Sequence, residues 1–188
     1  MANRTANYSA FYVDTPFNEN NLGAHSTRDF VYYNELRMWK AKDSGFPFID
    51  AHGKTYSVRD DSDWEKTLKP RLHERLNASK NIILFLSDIT KDSKALHEEM
   101  DYGINTKGLP VIVVYPNYSE KEDLLTASKG DLKKEVKDLW DKLPIFKSSM
   151  DNVPTLHIPM KKSLIEAALN NEDFTVQHET EAKYYFYK

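Results

Sequence analysis

Residues 82–104 read IILFLSDITKDSKALHEEMDYGI, and their reading decides the fold. The run IILFL at 82–86 is continuously apolar, as a strand covered on both faces would be. A short polar loop follows, then a helix over 93–106, with Gly108 just past its end as a stop signal. At about 100° per residue, counted from Leu96, the residues Met100, Gly103 and Ile104 fall together as a buried stripe. Glu98 lies almost opposite that stripe and is expected to be solvated. Glu99 borders the stripe beside Ala95 and Tyr102, while His97 and Asp101 lie on the other side. Ser93 is placed to cap the helix start, so Glu99 stands less than two turns from the carboxyl edge of the sheet. There it is either an ordinary solvated helix carboxylate or a shielded group that reaches a cleft. Spacing alone does not choose between the two.

The surrounding chain supplies the sheet. YSAFYV at 8–13 reads as the first strand, FPFID at 46–50 as a short second one, VIVVY at 111–115 as the fourth and TLHIP at 155–159 as the fifth. Helices are expected at 28–42, 62–77, 131–143 and 161–169. Ser62 is the expected cap of the second, and Pro70 is expected to kink it or to start a second short helix. The helix 131–143 carries Leu132, Val136, Leu139, Trp140 and Leu143 on one stripe. The helix 161–169 is expected to bury Leu164, Ile165, Ala168 and Leu169. Such alternation predicts an α/β flavodoxin-like three-layer sandwich, with a five-stranded parallel sheet in the order 2-1-3-4-5 flanked by helices. Residues 1–170 would form the domain. Residues 171–188 would be an aromatic extension, as a hairpin or an extended segment, packed on the same domain or at an interface. In this order strands 1 and 3 form a topological switch point, where ligands bind. The loop over 14–27, broken by Pro16 and Gly23, would then face the loop after Leu86.

Composition narrows the function. A net charge of −3, with both signs mixed along the chain, argues against a phosphate-driven nucleic-acid binder. The sequence has no cysteine, which excludes disulfides, thiol nucleophiles and thiolate metal sites. No apolar signal core and no apolar run of membrane-spanning length occurs, so a cytoplasmic protein without membrane contact is expected. HEEMD at 97–101 is not H-E-x-x-H, and no third ligand is signalled, so no metal is expected. Asp88 resembles the phospho-accepting aspartate of response-regulator receivers. That family also wants an acidic pair at the end of strand 1, where Asp14 stands alone. Phosphate-cradling glycine loops and a G-x-S-x-G elbow are absent.

The run Ser93-Lys94-Ala95-Leu96-His97-Glu98-Glu99-Met100 resembles the S-x-W-x-x-x-E motif of TIR domains, with Ala95 in place of the tryptophan. It follows an apolar strand ending in Leu86-Ser87 and precedes KGLPVIVVY at 107–115, as in that family. Residues 59–115 are similar to the bacterial branch that includes the Thoeris antiphage TIR proteins. The resemblance implies cleavage of NAD+, a substrate and not a cofactor, at its nicotinamide–ribose bond. Glu99 would be the catalytic carboxylate, and Tyr12, Asp14, Ser87 and Ser93 would bind substrate. The product would be an ADP-ribose-derived, often cyclic, signal that reaches an effector protein by diffusion after phage infection. A phage-derived trigger and self-assembly into a homo-oligomer are further expectations. Two rivals remain: a TIR-like interaction module without catalysis, and a nucleoside deoxyribosyltransferase-like enzyme.

Overall fold

The computed structural model describes residues 4–13, 28–53 and 63–188. The strands are β1 (Ala6–Ala10), β2 (Ser79–Phe85), β3 (Val111–Tyr115), β4 (Thr155–Pro159), β5 (Phe174–Thr175), β6 (His178–Glu179) and β7 (Tyr184–Phe186). Five of them form one parallel sheet in the order β1-β2-β3-β4-β7, and β5 and β6 make a small antiparallel pair. The α-helices are α1 (Arg28–Lys42), α2 (Lys69–Asn77), α3 (Lys94–Met100), α4 (Lys121–Leu124), α5 (Lys134–Asp138), α6 (Pro144–Ser149) and α7 (Lys162–Asn170).

Side-chain alternation along the strands divides the core into two layers. Ile82, Leu84, Val111, Val113 and Tyr115 face the layer of α2, α3 and the helices from α4 to α6. Ile83, Phe85, Ile112, Val114, Leu156 and Ile158 face α1 and α7. All five residues of β3 are buried, as a central strand of a doubly covered sheet must be. The architecture is the expected flavodoxin-like α/β sandwich.

Strand order departs from expectation at both edges. The segment 46–50 keeps Phe46 and Phe48 buried but makes only one parallel bridge, Asp50 with Asn7. Pro47 has no N–H, and the Ile49 N–H is taken by the Asn7 side chain at 2.8 Å. Asp50 then turns the chain, its carboxylate accepting the His52 N–H at 2.9 Å. The fifth strand is instead β7 from the C-terminal segment, beside β4.

Helix boundaries also move. A π-helical segment, Trp64–Leu68, leads into α2, and its cap is Asp63, whose side chain accepts from the Lys66 N–H. Ser62 lies outside the described residues. Pro70 sits in the first turn of α2, where its missing N–H costs nothing, so of the two expectations it starts a second short helix rather than kinking a single one. The helix expected over 131–143 shrinks to α5 and a 3₁₀ turn at Leu139–Lys142, because Leu132 pairs with Leu125 in an antiparallel bridge. In α7, Ile165, Ala168 and Leu169 are buried as expected, whereas Leu164 is only half-buried.

Candidate functional site

Ser93 caps α3 by accepting the Leu96 N–H at 3.3 Å, and its own carbonyl accepts the His97 N–H at 2.8 Å. The helix continues as a π-helical segment, Asp101–Thr106, and ends at Gly108, whose φ of 63° lies in the left-handed region. There the N–H groups of Gly108 and Leu109 return to the carbonyls of Ile104 and Gly103. Leu96, Met100, Gly103 and Ile104 are buried, as the stripe requires. Gly103 makes the approach to the sheet close: a Cβ there would lie 2.5 Å from Ile82 Cδ1.

This packing aims Glu99 at β1. The Tyr8 hydroxyl donates to Glu99 Oε1 at 2.9 Å, and Oε2 is buried without a hydrogen-bond partner among the described residues. Glu99 as a whole is half-buried, and its Oε2 is enclosed. Burial pushes this carboxyl up to about 8, against the smaller downward pulls of the Tyr8 hydrogen bond and the Arg75 charge. Burial and the neighbouring Glu99 hold the Tyr8 phenol well above its ordinary value.

Glu98 is not the solvated residue expected. It meets Lys69 at 3.2 Å and His73 at 2.7 Å, both on α2. Burial raises its pKa, but the hydrogen bonds from His73 and Lys69 outweigh that, and the carboxyl ends below its ordinary value. His73 also stacks on Tyr102 with ring centroids 3.5 Å apart. Glu98 thus ties α3 to α2. His97 lies 3.4 Å from Asp92.

The ends of β1 and β2 meet at a residue not singled out from the sequence, Asp29. This fully buried carboxylate in the first turn of α1 accepts the Ser87 hydroxyl at 3.0 Å and the Thr90 hydroxyl at 3.3 Å. It also accepts the backbone N–H of Tyr12. Burial raises its pKa, and these three hydrogen bonds pull it back. Asp29 therefore fastens the exit of β1 to the exit of β2. Ser87 is buried and its hydroxyl is committed to this staple. Tyr12 is buried too, with the Lys91 ammonium 5.8 Å from its ring centre. Asp14 and the loop 14–27 lie outside the described residues.

Tyr8 is the other residue missed. Tyr12 is the tyrosine expected at the substrate, yet the one that contacts Glu99 is Tyr8. Its only signal in the sequence is its place at the start of the strand expected over 8–13. Beside it, next to β1, lies His52, whose Nε2 is 2.9 Å from the Ser9 carbonyl and whose Nδ1 is 3.3 Å from Arg75 Nη1. Burial, and then the Arg75 charge, lower the His52 pKa to about 4, so the ring is neutral. Tyr8 packs on His52 with centroids 4.7 Å apart, and Phe11 stacks on Tyr33, which donates to Asp50 at 2.7 Å.

The arrangement places one carboxyl among a phenol, a guanidinium and aromatic rings. It can give up a proton near neutral pH and, once charged, stabilise an adjacent cation. No helix among the described residues is long and apolar enough to cross a membrane. The family model described as Thoeris protein ThsB, TIR-like domain, matches residues 8–121, more than half of the chain's 188 residues. That span takes in Tyr8, Asp29, Arg75 and Glu99, the residues on which the site is built. The chain belongs to the Thoeris ThsB TIR-like domain family.

Proposed function

We propose that the protein cleaves NAD+ at the nicotinamide–ribose bond and releases an ADP-ribose-derived, typically cyclic, signal in antiphage defence. The observation that carries this reading is Glu99: a shielded carboxyl with one oxygen fixed by Tyr8 and the other without a partner. The C1′–N bond breaks with both electrons leaving on the nicotinamide nitrogen, which becomes neutral, so no general acid is needed. The ribose is left as an oxocarbenium-like cation, which Glu99 stabilises in its charged form. Water then attacks C1′ and loses a proton, giving ADP-ribose. Attack by a nucleophile of the same molecule gives a cyclic product instead.

The resting state of Glu99 fits a cationic substrate. With its pKa near 8, only about one carboxyl in ten is charged at pH 7. A pyridinium cation brought beside it favours ionisation, so the charge develops when the substrate is there to use it. Oε2 is enclosed in this conformation, and NAD+ reaches it only after its surroundings rearrange. That suits an enzyme held silent until a phage-derived trigger or self-assembly acts, with an effector protein responding to the diffusible product. In this reading Tyr12 and Asp14 remain proposed substrate contacts, and Ser87 and Ser93 act by shaping the loop below Glu99.

The test is mass spectrometry of small molecules from phage-infected cells expressing the protein. NAD+ loss and a new ADP-ribose-derived species are expected in wild type and absent in Glu99→Gln. Unchanged metabolites with unchanged protection in both would overturn the reading in favour of a non-catalytic interaction module. Base exchange on a deoxynucleoside would replace it by the transferase reading.

A further inference from the structure

We infer that Tyr8 is a positioning residue for Glu99, holding Oε1 so that Oε2 is the single atom presented to the substrate ribose. The role given to the ribose rests on the function proposed above, whereas the coupling of Tyr8 to Glu99 does not.

Donor accounting leads to this assignment. Tyr8 is 1% exposed and lies inside β1, paired with Ile82 of β2, so its ring has no room to swing away. Its phenol remains protonated through the neutral range, since burial and the facing carboxyl both oppose ionisation. A phenol that keeps its proton donates it, so Oε1 is an acceptor in both states of Glu99. The proton of the neutral acid therefore sits on Oε2, the oxygen without a partner. Loss of that proton gives a carboxylate with one oxygen fixed at 2.9 Å from the phenol and the other, Oε2, left free to meet the substrate.

β1 acts on Glu99 a second time, through Arg75. His52 Nε2–H donates to the Ser9 carbonyl, so Nδ1 is the acceptor that receives Arg75 Nη1. Adjacent residues of one strand thus set the carboxyl by hydrogen bond and the guanidinium by relay. Among the described residues, the ionisable groups facing Glu99 are Tyr8 from β1 and Arg75 from α2. Lys69 and His73 of α2 are engaged by Glu98, and Lys147 of α6, which packs against α3, pairs with Asp141.

The experiment is a carbon-13 NMR titration of the Glu99 side-chain carboxyl, assigned by its loss in Glu99→Gln. In Tyr8→Phe, which keeps the ring, the Glu99 midpoint rises by about one pH unit, one hydrogen bond to the charged form having been removed. A fluorinated tyrosine placed at position 8 is a stronger donor and moves the midpoint down. Equal midpoints in folded Tyr8→Phe and wild type overturn the inference. So do shifts of the same sign in both variants, which would point to packing. With NAD+ turnover in hand, Tyr8→Phe lowers kcat with little change in KM, and the acid limb of the pH profile moves up with the NMR midpoint. If wild type leaves NAD+ untouched, the function fails while the titration still decides the role of Tyr8.

Discussion

Glu98 and Glu99 are chemically the same and adjacent, yet their surroundings drive them apart. The π-helical continuation of α3 and the cap at Ser93 turn one toward α2 and the other toward β1. Glu98 finds a lysine and a histidine, and Glu99 finds a phenol and little water. The consequence for stability has a definite sign. Glu99 titrates near 4.5 when unfolded and near 8 when folded. Below pH 4.5 it is neutral in both states and costs nothing. As pH rises from 4.5 through 8 the unfolded chain releases the proton while the folded chain keeps it. Stability therefore declines across that window, by about 3 kcal/mol at pH 7. Glu99→Gln removes this dependence, so its Tm relative to wild type should climb steadily between pH 5 and pH 8. Parallel melting curves across that range would place the titration on another group. Burial raises the Asp29 pKa too, so its pH dependence has the same sign, but here three donors occupy the carboxylate and pull it back. Asp29→Ala leaves those donors buried without an acceptor. It should cost about 2–4 kcal/mol in urea unfolding, since the exits of β1 and β2 lose their common anchor, and it should lower the proposed NAD+ turnover if that activity is present.

Strands and helices show which of these features a sequence can carry. The runs at 82–86 and 111–115 were legible because a doubly buried strand has no polar face to disguise it. The stripe Leu96, Met100, Gly103 and Ile104 was legible for the same reason. What escaped depended on partners far along the chain. An aspartate in a first helical turn, such as Asp29, reads as a dipole effect until Ser87 is brought 58 residues back to it. Tyr8 reads as core until Glu99 arrives from 91 residues away. The second strand misled because alternating Phe46 and Phe48 satisfy the pattern, while the hydrogen bonds that would extend it are blocked by Pro47 and Asn7. The α3–β2 contact is the element-scale feature most open to test. Gly103→Ala gains helix propensity of about 1 kcal/mol, but its methyl runs into Ile82 Cδ1, itself fully buried. We expect a net loss of about 1–2 kcal/mol in denaturant unfolding. Ile82→Val removes the obstructing atom, so the double variant should be more stable than the sum of the single changes. Strict additivity would show that the helix sits farther from the sheet.

For the molecule as a whole, the two edges of the sheet have separate work. The β1 edge carries Tyr8, which holds Glu99, and His52 packed on it. The opposite edge is closed by β7, from a segment outside the span matched to the family. Tyr184 secures it: its hydroxyl donates to Asp131 at 2.9 Å, and its ring meets Trp140 and His157 edge-on, each at 5.8 Å. Behind it, Trp140 donates to the Tyr115 hydroxyl at 2.7 Å, and Tyr115 must then donate to His157 Nδ1 at 2.6 Å. The His157 ring is buried and neutral, its pKa lowered to about 3 chiefly by burial. This chain of donors spans β3, β4 and the turn after α5, and β7 lies over it. Removing residues 183–188 would uncover these rings and leave the backbone groups of β4 unpaired on an open edge. Two readouts should follow together: a fall of several degrees in Tm, and self-association in size-exclusion chromatography as bare edges pair. Tyr184→Phe, which loses only the bond to Asp131, should cost about 1 kcal/mol and leave the chromatographic profile unchanged. Because β2 and β3 stand between the edges, the Glu99 midpoint should stay where it is in both variants. A midpoint that moved with the tail would mean that the far edge acts on the site through the sheet, and β7 would then be part of its control.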